Sequence, residues 1–302
     1  MIFNENTPLK NLLNDKYIGE YLPYIFYGYL DHASKYTIKE NSLLCFEGLE
    51  WLYNESKKGN VHQYFVEKAR PFVNLIHISH DNGSKVAFMV SGGGMYSIDH
   101  CHEGLPMGRK LFENGYDVCI ITYGINKDAK GINSIRDLAN CIKYAIEHKE
   151  QLNIDINSYI VVGGSAGGYI VGQYGTTLHG YKSFNLPKPK CLCLLYPVVN
   201  FNLAPEGFTA KKVMADTPKT KENLDKWATD LLVDKNYPST YVIHSTEDPI
   251  VKVENSRLLV EQLKKNNINY FYKEYNNAVH GWSTGYGLES YGWMNHFIDW
   301  NK

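Results

Sequence analysis

From residue 72 onward, short apolar runs alternate with longer amphipathic stretches. The runs at 72–78, 85–90, 117–122, 159–162, 191–195, 241–244 and 270–274 are rich in Val, Ile, Leu and Tyr and read as strands. Between and after them the spacing predicts helices over 103–114, 134–151, from 169, and over 253–265 and 291–300. Asp81-Asn82-Gly83-Ser84 is turn chemistry, so 72–78 and 85–90 are expected to pair as a hairpin. Ser134 and Asp137 have capping-box spacing and are expected to open the helix 134–151. Alternating strands and helices predict an α/β fold, a mostly parallel sheet with helices on both faces.

Two stretches break this rhythm. Residues 200–237 separate two strands by more than a simple connection needs. With a helical pattern over 219–232, they are expected to form a small cap insertion at the carboxyl end of the sheet. Residues 1–70 read as a helical extension packed on a catalytic domain spanning 71–302. Within it, Asn41-Ser42 is a start signal and Lys57-Lys58-Gly59-Asn60 a stop signal for one helix. Its tyrosines, Tyr17, Tyr21, Tyr24, Tyr27, Tyr29 and Tyr36, also leave open an aromatic wall over a pocket.

Composition narrows the function classes. With 44% hydrophobic and 21% charged residues in 302, a sizeable core can form. A net charge of −1 gives no electrostatic case for a nucleic-acid or anionic-membrane partner. The first 14 residues lack a basic region followed by an apolar run, and no apolar stretch approaches the roughly 20 residues a bilayer needs. The expectation is a cytoplasmic protein whose six scattered cysteines are free thiols.

Candidate chemistry centres on Gly163-Gly164-Ser165-Ala166-Gly167-Gly168, between an apolar strand and a helix start. Strand, Gly-x-Ser-x-Gly, helix is the setting of a nucleophile elbow, where a sharp turn projects the serine hydroxyl from the sheet. A serine needs a base, and the base needs an orienting carboxylate. After the strand ending at His244 come Glu247 and Asp248, both candidate acids. After the last strand comes the loop 276–282 with His280, the candidate base. Ala166 follows the nucleophile and offers one oxyanion N–H; the glycine-rich Ser91-Gly92-Gly93-Gly94-Met95-Tyr96, after the strand 85–90, fits the place of the others. No Gly-Lys-Ser/Thr ending and no Gly-x-Gly-x-x-Gly helix start favours a phosphate loop instead. Asp99-His100-Cys101-His102-Glu103 has metal-ligand residue types, but adjacent and without a second cluster, so neither metal nor cofactor is expected.

These residues resemble the α/β-hydrolase superfamily and, within it, the esterase/lipase group with an HGGG-type oxyanion loop. The motifs are Ser91-Gly92-Gly93-Gly94, the elbow around Ser165, Asp248-Pro249-Ile250-Val251 and His280-Gly281, over about residues 72–302. Glu103-Gly104-Leu105-Pro106, Gly115-Tyr116-Asp117 and Thr122-Tyr123-Gly124 look like acetylxylan-esterase-like hydrolases. Ser91 stands where that motif usually has His, and Gly124 where Arg often follows Tyr. The resemblance implies nucleophile Ser165, acid Asp248, base His280 and oxyanion donors Gly93, Gly94 and Ala166. It implies an ester hydrolase acting through an acyl-enzyme on a small-molecule ester with a short, acetyl-like acyl group, carried by an oligosaccharide in one version. Tyr96, Tyr123 and Trp282 flank the site loops and are candidate substrate contacts. A serine amidase, exopeptidase or formamidase of the same fold, and a non-catalytic binding protein, are the alternatives.

Overall fold

A computed structural model describes residues 3–276 and 278–302; Asn277, in the loop carrying His280, lies outside them. The described residues form one sheet of eight strands: β1 (Val61–Phe65), β2 (Asn74–Ile78), β3 (Ser84–Val90), β4 (Tyr116–Thr122), β5 (Ile154–Gly164), β6 (Cys191–Leu195), β7 (Ser239–Ser245) and β8 (Tyr270–Tyr275). Their order is β1-β2-β4-β3-β5-β6-β7-β8. β1 pairs with β2 and β2 with β4 in antiparallel register; every later pairing is parallel.

The order corrects the expected hairpin. Asp81 and Gly83 do turn with positive φ, 52° and 75°. The chain then crosses over, and β4 inserts between β2 and β3. The antiparallel neighbours of β2 are β1 and β4, and β1 falls inside the stretch read as helical, so the sheet begins before residue 70.

Alternate residues of each strand feed opposite faces, as a period of two requires. Val86, Phe88 and Val90 join one core with Cys119, Ile121, Leu192 and Leu194; Ala87 and Met89 join the other with Val118, Ile120, Cys193 and Leu195. Helices Asn133–Glu147, Ser165–Tyr174 and Glu254–Lys265 cover the first face. The second is covered by Leu105–Phe112, Trp293–Trp300 and the N-terminal segment, whose Leu9, Leu22, Phe26, Leu49 and Leu52 are fully buried or nearly so. In that segment four single helical turns precede the helix Leu43–Lys58. Ser42 caps this helix by accepting the Leu44 N–H, and Gly59, at φ 85°, ends it.

Two further expectations are overturned. Ser134 and Asp137 form no capping box: Ser134 Oγ donates to Gly124 O, and Asp137 accepts from Gly124 N–H and Arg70 Nη2. Tertiary partners outbid the local cap. A Cβ at Gly124 would collide with Arg70 Nη2 and lie 2.6 Å from Asp128 O, so a guanidinium does stand beside Gly124, supplied from Arg70. The cysteines are not all free. Cys45 and Cys101 form a disulfide across 56 residues, tying the N-terminal helix to the segment after the glycine-rich loop; Cys119, Cys141, Cys191 and Cys193 are buried thiols. Such a cross-link persists in oxidising surroundings.

Removing that disulfide by Cys45→Ser with Cys101→Ser should lower the urea midpoint. The loop-entropy relation gives up to about 4 kcal/mol for a closure of this size. Equal midpoints for wild type and variant under non-reducing conditions would refute a stabilising cross-link.

Candidate active site

In the order β4-β3-β5 the chain steps from β3 to one side and later resumes on the other, the switch point where open α/β sheets leave a crevice. The glycine-rich loop leaves β3 there, and the elbow leaves β5 beside it. The elbow is tight because its glycines admit no side chain. A Cβ at Gly167 would collide with Val90 O and lie 2.7 Å from Ser91 O, and one at Gly163 would lie 2.6 Å from Gly167 O. Ser165 takes the left-handed conformation, φ 54°, a strained state for a non-glycine residue. It also begins the helix Ser165–Tyr174, whose first N–H groups have no intrahelical acceptor.

Asp248 and His280 arrive from the carboxyl ends of β7 and β8. His280 Nδ1 lies 2.6 Å from Asp248 Oδ2, and His280 Nε2 lies 2.7 Å from Ser165 Oγ. A carboxylate only accepts, so Nδ1–H donates to Asp248 and Nε2 accepts the serine O–H. Of the two candidate acids, Glu247 is exposed and Asp248 faces the imidazole. Asp248 is itself pinned: its Oδ1 accepts the N–H groups of Ile250 and Val251, both at 2.8 Å. Beside it, His244 Nε2 lies 2.8 Å from Val251 O and 3.4 Å from Asp248 Oδ2, and its Nδ1 is bonded to Ser256 Oγ. Burial alone would raise the Asp248 carboxyl. Hydrogen bonds from His244 and His280 outweigh it and hold the group well below the usual carboxylate range.

Gly93 and Gly94 line the cavity at Ser165, at φ 126° and 63°. Their N–H groups and that of Ala166 have no acceptor among the loop hydrogen bonds of the described residues. Gly92 N–H is taken, donating to Glu103 Oε2 at 2.6 Å. Ser91 donates to Nδ1 of His100, whose Nε2–H donates to Ile121 O; burial lowers that imidazole to about 3 and keeps it neutral. His100 and Glu103 are thus engaged within the fold, and among the described residues no three metal-type side chains converge.

The sequence brings Glu103 forward only as part of the Asp99–Glu103 cluster and of the Glu103-Gly104-Leu105-Pro106 run, with no role for its carboxyl. That carboxyl is buried beneath the elbow, where a Cβ at Gly164 would come within 2.9 Å of Oε1. It accepts from Gly92 N–H and from Tyr196 O–H, and the Tyr196 oxygen in turn accepts Ser283 N–H. The Tyr196 ring meets His280 edge-on at 5.0 Å. One carboxyl therefore joins the glycine-rich loop to the loop carrying His280.

Of the candidate substrate contacts, Tyr96 lines the cavity. Tyr123 and Trp282 do not. Tyr123 is fully buried with its O–H donating to Ser91 O, and Trp282 packs among Tyr196, Tyr275 and Trp293. Both belong beneath the site. The 200–237 insertion contributes Phe201, Leu203, Ala204 and Phe208 to the wall beside Ser165, but its helix is shorter than expected, Lys221–Asp225.

A mostly parallel sheet with a serine elbow at its switch point defines an α/β hydrolase. The chain belongs to the BD-FAE family, whose sequence model matches residues 75–263. It is 22% identical over 230 residues to endo-1,4-beta-xylanase B of Butyrivibrio fibrisolvens, covering 72% of this chain. The chain spans only 36% of that relative's length. Among solved structures it resembles an acetyl ester-xyloside bifunctional hydrolase of Caldicellulosiruptor lactoaceticus, with TM-score 0.67, 23% identity and coverage of 78% and 89% of the two chains. It also resembles a carboxylesterase of Lactobacillus plantarum, with TM-score 0.69, 18% identity and coverage of 80% and 96%.

Two outcomes test this geometry. Glu103→Gln offers one acceptor where two donors converge, so kcat should fall roughly tenfold with KM changed less than about twofold. Equal loss in kcat and in melting temperature, rescued by cooling, would reduce Glu103 to a general packing role. Asp248 has a depressed native-state value, so its stabilising contribution is full above the ordinary value of 3.8 and is lost as pH falls below it. Urea midpoints between about pH 6 and 3 should fall more steeply for wild type than for Asp248→Asn.

Proposed function

We propose that the chain is a serine carboxylic-ester hydrolase that works through an acyl-enzyme on short acyl esters of carbohydrates, acetyl among them. The observation that carries this is the continuous line from Ser165 Oγ through His280 to Asp248, at 2.7 and 2.6 Å, beside uncommitted N–H groups of Gly93, Gly94 and Ala166. Ser165 Oγ attacks the ester carbonyl as its proton passes to His280 Nε2. The carbonyl electron pair moves onto oxygen, where the three N–H groups stabilise it. Collapse breaks the carbon–oxygen bond of the leaving alcohol, which takes the proton from Nε2. Water, deprotonated by the same nitrogen, then releases the acid and restores Ser165. Asp248 holds the ring so that Nε2 faces the serine, and it stabilises the charged imidazolium.

The carbohydrate part rests on the acetyl ester-xyloside hydrolase and the xylanase among the relatives. Support for a short acyl group comes from the modest cavity of about 300 Å³ beside Ser165. Ser165→Ala should lower turnover of p-nitrophenyl acetate by about 10⁴-fold or more. Wild-type turnover in that variant would remove Ser165 from the mechanism, and a preference for long acyl chains across an ester panel would overturn the acyl assignment.

A further inference from the structure

Ser165 opens onto two cavities. The smaller, about 300 Å³, is walled by Val198, Phe201, Leu203, Ala204 and Val251. The larger, about 600 Å³, is walled by Tyr29, Tyr96, Ser97, Asp99, His102 and His280. Gly94, Ser165, Phe208 and Ile250 border both, and the Phe208 and Ile250 side chains stand out as a ridge, 60% and 59% exposed.

Proton transfer decides which part of an ester enters which cavity. The leaving oxygen must come within hydrogen-bond reach of His280 Nε2. His280 borders the larger cavity and not the smaller. The alcohol therefore occupies the larger cavity and the acyl group the smaller one. This orientation rests on the ester-hydrolase reading above.

We propose that the larger cavity is a subsite for a polyhydroxylated alcohol, read by Asp99 as a hydroxyl acceptor that Tyr29 holds in place. Tyr29 O–H donates to Asp99 Oδ1 at 2.8 Å, and His102 N–H donates to the same oxygen at 3.2 Å. Asp99 Oδ2 has no hydrogen-bond partner among the described residues, and it is not among their buried unpartnered atoms. Two donors on one oxygen fix the carboxyl, so the other oxygen becomes a positioned, accessible acceptor. His102 is itself immobilised, between Ser42 Oγ at Nδ1 and Gly281 O at Nε2.

The same cavity is lined by Tyr96, 42% exposed, held edge-on to Phe208 and under Lys212 Nζ at 3.8 Å from the ring centre. A fixed acceptor and an aromatic ring in one cavity suit a sugar, which offers hydroxyl donors at its rim and C–H groups on its face. An alcohol without hydroxyls would leave Asp99 desolvated and unpaired, and sites built this way discriminate strongly against such analogues. Tyr29 precedes the family-matched span 75–263, so part of this subsite comes from the N-terminal segment.

Asp99→Asn tests the subsite with minimal change, because Oδ1 remains for Tyr29 and His102 while the free oxygen becomes a donor. The readout is the ratio of kcat/KM on an acetylated xylo-oligosaccharide to kcat/KM on p-nitrophenyl acetate, whose leaving group has no hydroxyl neighbours. That ratio should fall at least about tenfold. The inhibition constant of the unacetylated xylo-oligosaccharide against p-nitrophenyl acetate should rise by a similar factor. Tyr29→Phe, which frees Asp99 without removing it, should move both quantities the same way by less. An unchanged ratio in both variants, or a parallel loss on both substrates with an unchanged inhibition constant, overturns the subsite while leaving the ester reading intact. A folded wild type that cleaves neither ester overturns the ester reading, and the subsite with it.

Discussion

The closeness of the elbow helix to β3 is the constraint on which the site depends. Glycine at 167 lets the helix backbone rest against the carbonyls of Val90 and Ser91, and glycine at 163 lets the strand turn into the helix without a side chain between them. Ser165 is thereby forced to a positive φ and held beside the loop leaving β3. A methyl group at either glycine would collide with this backbone and displace the hydroxyl from the N–H groups that must receive the carbonyl oxygen. The strain at one residue is offset by the packing of the ten-residue helix behind it, buried along its whole length.

Around this contact, buried polar groups join loops that the sheet alone would leave independent. Glu103 spans from Gly92 to Tyr196, and through Tyr196 to Ser283. His244 and the N–H groups of Ile250 and Val251 fix Asp248 before His280 reaches it. His102 ties the cap of the N-terminal helix, Ser42, to Gly281, next to the imidazole, and the disulfide lies one residue away at Cys101. The N-terminal segment is therefore more than a cover for one face of the sheet. It braces the site from a side that the motifs of the chain do not mention.

Much of this was legible in the sequence, for identifiable reasons. Ser165, Asp248 and His280 each follow a strand whose apolar run is unmistakable, and loops at strand ends are short enough to place a side chain with little freedom. Strand parity marks Tyr123 as core: Cys119, Ile121 and Tyr123 share one face, which is buried. The false hairpin came from sound turn chemistry at Asp81–Gly83 that says nothing about which strand arrives later to pair. The disulfide and the work of Glu103 depend on segments brought together only by the finished fold, the first across 56 residues. Local pattern carries no trace of such meetings, whereas the triad order survives because each member is tied to its own strand.

Arg70 and Gly124 show how a side chain can be relocated within a fold. The guanidinium of Arg70 rests on Asp137 and fills the space a Cβ at position 124 would enter. The two positions thus share one volume and one counter-charge. Replacing Arg70 alone would leave Asp137 buried without its cation, and a side chain placed at 124 beside Arg70 would crowd two groups into room for one.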